Sequence, residues 1–175
     1  MMTSADRMPH LSRRAALGAL GLGAAVMATA PHAAGQLDQG YEAMLMKCID
    51  PRFTTNTWKY MTGRGWQNNY SEFAFAGGPV GVVAPTFAGW HETFWENLAI
   101  SVDLHWLTRL IGMAHRDCGA VAAAYGDRVL TDRAYETEVL SGALRTFRDE
   151  AVRRQPALVV ELGIMDLDGT VEVVT

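Results

Sequence analysis

The chain has 175 residues, of which 49% are hydrophobic and 19% are charged, and its formal net charge is −4. This length and composition indicate a single globular domain with a sizeable core and exclude a disordered chain. The acidic balance argues against nucleic acid as a partner, because proteins that bind nucleic acid neutralise its phosphates with an excess of Lys and Arg.

The first 34 residues have the pattern of an export signal peptide. Arg13 and Arg14 precede an uncharged run rich in Ala and Gly over residues 15–30, which ends in small residues of the kind found at cleavage sites. The paired arginines are typical of twin-arginine export, which would carry the folded protein to the periplasm. The alternative is an internal Ala-rich helix, which the three glycines of this run would weaken.

Removal of residues 1–34 leaves a predicted domain of residues 35–175 with 12 Lys and Arg against 18 Asp and Glu, or a formal charge of −6. The apolar run at residues 15–30 is short for a membrane helix, and we expect no stable membrane span in the mature chain. In an oxidising periplasm, Cys48 and Cys118 alternatively pair as a disulfide.

The rest of the chain alternates strand-like and helix-like patterns. The predicted elements of the first half are a strand (43–47), a short helix (54–61), a strand (70–75), a loop (80–90) and a helix (91–108). Those of the second half are a strand (109–114), a short helical segment (117–125), a long helix (131–154) and two strands (157–167 and 170–174) around an Asp-Gly turn. This order predicts an α/β fold with a mostly parallel central sheet flanked by helices and a C-terminal hairpin strand.

Two short motifs follow predicted strands, and together they hold both cysteines. The first is Cys48-Ile49-Asp50-Pro51-Arg52, and the second is His115-Arg116-Asp117-Cys118. Residues just past the carboxyl ends of neighbouring strands converge in an open α/β sheet, so we expect these motifs to meet. Two thiolates and one imidazole form a ligand set that catalytic zinc uses. The alternative is a pair of buried, inert cysteines.

At these residues the chain resembles the β-class carbonic anhydrases. That family carries Cys-x-Asp-x-Arg after its first core strand and His-x-x-Cys, commonly followed by Gly-Gly or Gly-Ala, after a later one; here Gly119-Ala120 follows. The resemblance runs from about Ala43 to the C-terminus. It departs at Ala74-Phe75, where the family usually has Arg-Asn before Ala-Gly, and at Pro51, where the family usually has a small residue.

The resemblance implies a β-carbonic anhydrase-like zinc enzyme, a lyase that hydrates CO2 reversibly to bicarbonate and a proton by a metal-bound hydroxide. Cys48, His115 and Cys118 would hold the Zn2+, Asp50 would accept a hydrogen bond from the hydroxide, and Arg52 would hold Asp50 in place. It also implies a homodimer or a higher even-numbered oligomer, and five Trp in a small chain agree with exposed apolar surface.

Two other functions remain open at this stage. One is a non-catalytic zinc-binding relative in which Asp50 closes the site on the metal, and the changes at Pro51 and at Ala74-Phe75 favour it. The other is a hydrolase of a related small substrate, such as carbonyl sulfide or carbon disulfide. On the residues alone, Asp50 and Arg52 alternatively form a surface salt bridge.

Further histidines and aromatic residues have two interpretations each. His91 and His105 are candidate proton shuttles, but on a helix a structural histidine is the expected use. Four aromatic residues either line a narrow apolar entrance or pack in the core, and core packing is expected for most of them: Phe75, Trp90, Phe94 and Trp95.

Overall fold

The structure, a computed structural model, describes residues 40–175. The predicted export signal at residues 1–34, and the start of the predicted domain, lie outside the described residues. Within residues 40–175, no helix has both the length and the hydrophobicity that a membrane-spanning segment requires.

Five strands form one sheet in the order β2-β1-β3-β4-β5. The strands are β1 (Ala43–Lys47), β2 (Tyr70–Ala74), β3 (Arg109–His115), β4 (Val159–Met165) and β5 (Val171–Val174). The pairs β1–β2, β1–β3 and β3–β4 are parallel, and the C-terminal hairpin pair β4–β5 is antiparallel. The predicted α/β fold with a mostly parallel sheet and a C-terminal hairpin strand is therefore confirmed.

The described helices lie between the strands and before the hairpin. They are α1 (Thr54–Gly63), α2 (Ala88–His105), α3 (Gly119–Tyr125), α4 (Arg128–Thr131) and α5 (Arg133–Arg154). The predicted loop at residues 80–90 was wrong in detail, because it contains two 3₁₀ turns and the start of α2. Pro85 opens the second of these turns, which leads directly into α2.

Four further predicted helix boundaries differ from the structure. Helix α1 ends at Gly63 rather than at residue 61, and α3 begins at Gly119 rather than at residue 117. Helix α2 ends at His105 rather than at residue 108, because Trp106 takes a left-handed conformation with a φ of 49°, a usual geometry just past a helix C-terminus. Helix α5 begins at Arg133 rather than at residue 131. Asp132 caps it, and its side chain accepts the N–H of Tyr135 at 3.0 Å.

The sheet is covered by helices on both faces. On one face, Phe94 and Leu98 of α2 pack with Leu144 and Phe147 of α5 in the larger apolar cluster. On the other face, Met61 of α1 belongs to a smaller cluster with residues of β1, β3 and β4. All five residues of β1 are buried, as expected for a central parallel strand.

The alternation of side chains along β1 determines where the first motif begins. Met44 and Met46 belong to the larger cluster, and Ala43 and Leu45 belong to the smaller one. Cys48 continues the series of even-numbered residues on that face and also belongs to the larger cluster. The strand thus delivers the Cys48 side chain, buried, at the carboxyl edge of the sheet.

Candidate metal centre

The two motifs meet where β1 and β3 end. These strands are parallel neighbours, with Lys47 opposite Met113, so their carboxyl ends open on the same edge of the sheet. Cys48, His115 and Cys118 are 7%, 3% and 3% exposed. One donor atom from each lies within 4.8 Å of the others. The structure therefore brings together all three residues that the sequence singled out as metal ligands.

The separation of the two sulfur atoms suits a shared metal ion. Cys48 Sγ and Cys118 Sγ lie 4.0 Å apart, and both cysteines are free. Two sulfurs that each lie about 2.3 Å from a tetrahedral zinc ion are separated by about 3.8 Å. A disulfide would require about 2.05 Å. The pair therefore has the spacing of two ligands of one ion rather than that of a disulfide.

The two thiols do not share their protons equally. The hydrogen bond with Cys118 lowers the pKa of Cys48; burial opposes this shift, and hydrogen bonds from the backbone N–H groups of Asp50 and Gly77 add to it. The same bond to Cys48, together with burial, raises the pKa of Cys118. A divalent cation bound by both sulfurs would favour the thiolate form of each cysteine.

The imidazole of His115 has one nitrogen in use and one without a partner. Its Nδ1 lies 2.7 Å from the carbonyl oxygen of Arg116, so Nδ1 carries the proton and donates it. Its Nε2 is buried and has no hydrogen-bond partner among the described residues. A buried, unpartnered nitrogen beside two thiols is costly unless it binds a ligand, and metal-binding histidines have this arrangement. The Phe53 ring packs against the imidazole, with 4.1 Å between ring centroids.

Asp50 and Arg52 form a closely paired dyad beside these donors. Arg52 Nε lies 3.1 Å from both carboxylate oxygens, and Nη2 lies 2.7 Å from Oδ2. The backbone N–H of Arg52 also donates to Oδ1, at 2.9 Å. These bonds from Arg52 hold the pKa of Asp50 below its usual range. Asp50 Oδ2 lies 4.0 Å from His115 Nε2, which is too far for a direct hydrogen bond.

Arg52 also joins the two motifs, a role that the sequence did not reveal. Its Nη1 donates to Asp117 Oδ2 at 2.7 Å, and its Nη2 donates to the Asp117 carbonyl at 2.9 Å. One guanidinium thus binds the carboxylate of each motif. The position of Asp117 inside His-x-x-Cys was the available indication, since that loop was expected to meet the first motif.

The turn after β2 covers Cys48 closely. The N–H of Gly77 donates to Cys48 Sγ at 3.3 Å. A Cβ atom at Gly78 would lie 2.7 Å from the carbonyl carbon of Lys47 and 2.8 Å from the nitrogen of Cys48, and the φ of Gly78 is +53°. Only glycine fits such an approach and such a conformation without strain. The Gly-Gly pair therefore lets the backbone reach the thiol.

The donors open onto a depression of about 360 Å³. It is lined by residues of both motifs and of the turn after β2: Cys48, Ile49, Asp50, Pro51, Ala76, Cys118, Gly119 and Ala120. Ala76 also lines a neighbouring apolar cavity of about 380 Å³ with Phe73, Phe75 and Trp90. Thus Phe75 and Trp90 line a cavity beside the site.

The other histidine and aromatic residues singled out in the sequence have structural roles. Phe94 and Trp95 are buried in the core, at 0% and 4% exposure. His91 Nε2 lies 3.1 Å from the carbonyl of Ala84. His105 Nδ1 lies 2.9 Å from Ser71 Oγ. Both rings are thus used within the fold, as expected for structural histidines.

The same architecture occurs in solved carbonic anhydrases. The structure matches a carbonic anhydrase from Streptococcus mutans with a TM-score of 0.54 and 17% identity, over 78% of this chain and 83% of that one. It matches a carbonic anhydrase from Glaciozyma antarctica with a TM-score of 0.53 and 16% identity, over the same shares of the two chains. A β-carbonic anhydrase from Sordaria macrospora has a TM-score of 0.48 and 17% identity, over 82% and 86%. The chain therefore shares the fold of the first two of these carbonic anhydrases.

Sequence comparisons identify relatives of this chain, but the names of those relatives give no activity. No protein-family profile matches the chain. An uncharacterized protein of Rickettsia conorii is 28% identical over 129 residues, which are 74% of this chain and 69% of that protein. An uncharacterized protein of Rickettsia bellii is 28% identical over 129 residues, which are 74% of this chain and 79% of that protein. The site's chemistry must therefore be argued from its own residues.

The donor set fits a zinc ion on three independent observations. The sulfur atoms have the spacing of two ligands of one ion. The His115 Nε2 atom is buried and has no hydrogen-bond partner among the described residues. The backbone N–H of Gly77 donates to Cys48 Sγ, which favours negative charge on that sulfur. Three protein donors are one fewer than a closed structural zinc site uses.

Proposed function

We propose that this protein is a zinc-dependent carbonic anhydrase, which hydrates CO2 reversibly to bicarbonate and a proton. The observation that carries the proposal is the convergence of the Cys48, His115 and Cys118 donors within 4.8 Å, with the Asp50 carboxylate beside them. The β-carbonic anhydrase-like fold supports the same conclusion.

Each protein group has a defined task in this chemistry. Cys48, His115 and Cys118 would hold the ion through two thiolate sulfurs and a neutral imidazole nitrogen. When bound, zinc supplies a nucleophile near neutral pH, because it lowers the pKa of a coordinated water far below that of bulk water. The Arg116 carbonyl fixes the tautomer of His115 by accepting its Nδ1 proton.

Asp50 would orient the nucleophile. Arg52 keeps this carboxylate ionised, and an ionised carboxylate only accepts hydrogen bonds. An O–H group that donates to Asp50 therefore directs its lone pair away from Asp50, towards the substrate. Arg52 binds both oxygens of Asp50 and so opposes its rotation towards the sulfurs. This contact favours the catalytic function over the alternative in which Asp50 closes the site.

The lining of the depression suits a small uncharged substrate. Ile49, Pro51, Ala76 and Ala120 contribute apolar surface beside the thiols. CO2 carries no net charge and makes few hydrogen bonds, so an apolar wall costs little on binding. The adjoining cavity of Phe75 and Trp90 favours a second candidate, hydrolysis of carbonyl sulfide or carbon disulfide, because those molecules are larger and their sulfur atoms are more polarisable.

Stopped-flow measurement of CO2 hydration by the zinc-loaded full chain tests the proposal, with Cys118→Ser as the matched inactive control. We expect proton release from CO2 well above the buffer rate for the wild type, and the buffer rate for the control. Sulfide release from carbonyl sulfide without CO2 hydration would support the second candidate. Tight zinc binding with no turnover at any pH would support the non-catalytic relative.

We also propose that the protein forms a homodimer or a larger even-numbered oligomer. Three of its five tryptophans are largely exposed, Trp58 at 50%, Trp90 at 42% and Trp106 at 56%. Exposed aromatic surface of this kind is often buried by a partner. Light scattering at micromolar concentration tests this proposal, and a mass equal to one chain would contradict it.

Periplasmic location through the twin-arginine pathway also remains a proposal, supported by the sequence pattern of residues 1–34. Replacing both Arg13 and Arg14 by Lys should leave the precursor in the cytoplasm, because the pathway recognises the arginine pair. Unchanged periplasmic accumulation of this double variant in cell fractions would contradict the proposal.

A further inference from the structure

The loop between β3 and α3 carries two of the three proposed ligands. In a continuing strand, His115 and Cys118 would point to opposite faces, because side chains alternate and the two residues are three positions apart. Asp117 instead has a left-handed backbone with a φ of 57°, and the chain turns so that Cys118 lies close to His115. Residues other than glycine hold this conformation where surrounding contacts impose it.

Glu136, in the first turn of α5, makes two of those contacts. It is only 6% exposed. Its Oε1 accepts the N–H of Asp117 at 2.8 Å, and its Oε2 accepts Nη1 of Arg116 at 3.2 Å. A single carboxylate therefore fixes the two consecutive residues that separate His115 from Cys118.

Arg116 links Glu136 to the imidazole of His115. Its guanidinium is buried and also donates to Thr137 Oγ1 at 2.7 Å and to Glu172 Oε2 at 2.8 Å. A buried guanidinium is stable only where its charge and its N–H groups are paired. The carbonyl of Arg116 accepts the Nδ1 proton of His115. The residue that Glu136 holds thus sets the orientation of the ligand histidine.

We propose that Glu136 is a positioning residue of the metal centre, which holds residues 115–118 so that His115 and Cys118 face Cys48. Among the described residues, its side chain bonds to Arg116 and Asp117 and not to any of the three ligands. It therefore acts through the loop. The inference rests on the proposed metal centre and adds to it a residue that neither sequence motif contains.

Two variants separate this role from a general contribution to folding. Glu136→Gln removes the charge beside Arg116 and puts an amide where two acceptor oxygens were required. Glu172→Gln is the matched control, because Glu172 pairs with the same guanidinium but its side chain is 55% exposed. Glu136→Asp is the second test variant. It keeps the charge that supports folding, but its shorter side chain cannot reach both partners.

Two readouts are needed, one with metal and one without. The first is the dissociation constant for Co2+, together with the thiolate-to-cobalt absorption band of the complex. The second is the hydrogen-exchange rate of the Asp117 amide in the metal-free protein. The unfolding temperature of each metal-free variant shows how much of any change is a loss of overall stability.

We expect Glu136→Gln to weaken Co2+ binding by about 10–100-fold, to alter the absorption band and to accelerate exchange of the Asp117 amide. Glu136→Asp should change all three in the same direction, and Glu172→Gln should leave Co2+ binding within about threefold of wild type. Wild-type affinity in both Glu136 variants, or an equal loss in Glu172→Gln, would overturn the proposal. Failure of the wild type to bind either Co2+ or Zn2+ would contradict the proposed function. An unchanged exchange rate of the Asp117 amide in Glu136→Gln would separately overturn the positioning role.

Discussion

The sulfur atoms of Cys48 and Cys118 lie 4.0 Å apart although 70 positions of sequence separate the two residues. One follows β1 and the other follows β3, and the parallel pairing of these strands places both ends at one edge of the sheet. The thiols are buried and are not joined by a disulfide. This spacing is the simplest structural reason to expect a shared ion.

Replacing Cys48 by Ser should release the metal. A serine hydroxyl stays protonated at neutral pH and is a poor substitute for a thiolate ligand. We expect zinc affinity to fall by more than about 100-fold, beyond the usual loss from changes around a metal site. Chelator competition measures this, and circular dichroism checks that the variant is folded. Retention of stoichiometric zinc by the folded variant would remove Cys48 from the ligand set.

Replacing Asp50 by Asn should leave the metal in place but reduce turnover. The amide can donate a hydrogen bond where the carboxylate only accepts, so the nucleophile would be misoriented. We expect the CO2 hydration rate to fall by about 10–100-fold at unchanged zinc content. Asp103→Asn, at an exposed position on α2, is the control. Full hydration activity in Asp50→Asn would show that Asp50 has no catalytic role.

Two glycine substitutions should have opposite effects on stability. Gly78→Ala adds a Cβ atom 2.7 Å from the backbone of Lys47 at a φ of +53°, and should cost at least about 2 kcal/mol of unfolding free energy. Gly142→Ala adds a methyl group inside α5 with nothing within 4 Å, and should gain about 1 kcal/mol. Urea denaturation measures both. Equal stabilities would show that the turn after β2 does not approach Cys48 as described.

Acid should weaken an ion-pair network at the end of α5. Bonds from Arg153 and then Arg154 lower the pKa of Glu150 from 4.5 to about 2. Because the folded pKa lies below the unfolded value, the network stabilises the native state above about pH 4.5, and this stabilisation is lost as the pH falls towards about 2.

Glu150→Gln should therefore lower the unfolding temperature at pH 7 and have little effect near pH 2. Partly exposed pairs of this kind contribute up to about 1 kcal/mol, so the shift should be a few degrees. Glu138→Gln, at an exposed position of the same helix, is the control. An effect of Glu150→Gln that does not change with pH would contradict the ion-pair explanation.

The sequence predicted that Cys48, His115 and Cys118 would meet, because each motif lies at the carboxyl end of a buried strand. Cys48 and His115 needed only the rule that parallel strands open at one edge. Glu136 could not be predicted in this way, because its contact with Asp117 depends on how α5 packs against the end of the sheet. The start of α2 was missed because Pro85 and Gly89 are typical of loops, whereas here Pro85 opens the turn that precedes the helix.

The conformation of Asp117 is another feature that the sequence did not show. Asp adopts a left-handed backbone more readily than most residues, and here tertiary contacts with Arg52 and Glu136 hold it in that conformation. Arg52 was predicted to hold Asp50, but its second partner depends on how close the two motifs lie in space. Local pattern thus identified the candidate donor residues, and packing decided how they are held.

The most direct test of the central claim is a zinc titration of the metal-free full chain, followed by stopped-flow CO2 hydration. Because the proposed site has one set of Cys48, His115 and Cys118 donors per chain, the hydration rate should rise in proportion to added zinc and level off at one zinc per chain. The rate of the loaded protein should also rise as the pH passes through the value at which its nucleophile forms. Zinc-loaded protein that hydrates CO2 no faster than the buffer, or hydration that does not depend on zinc, would contradict the account.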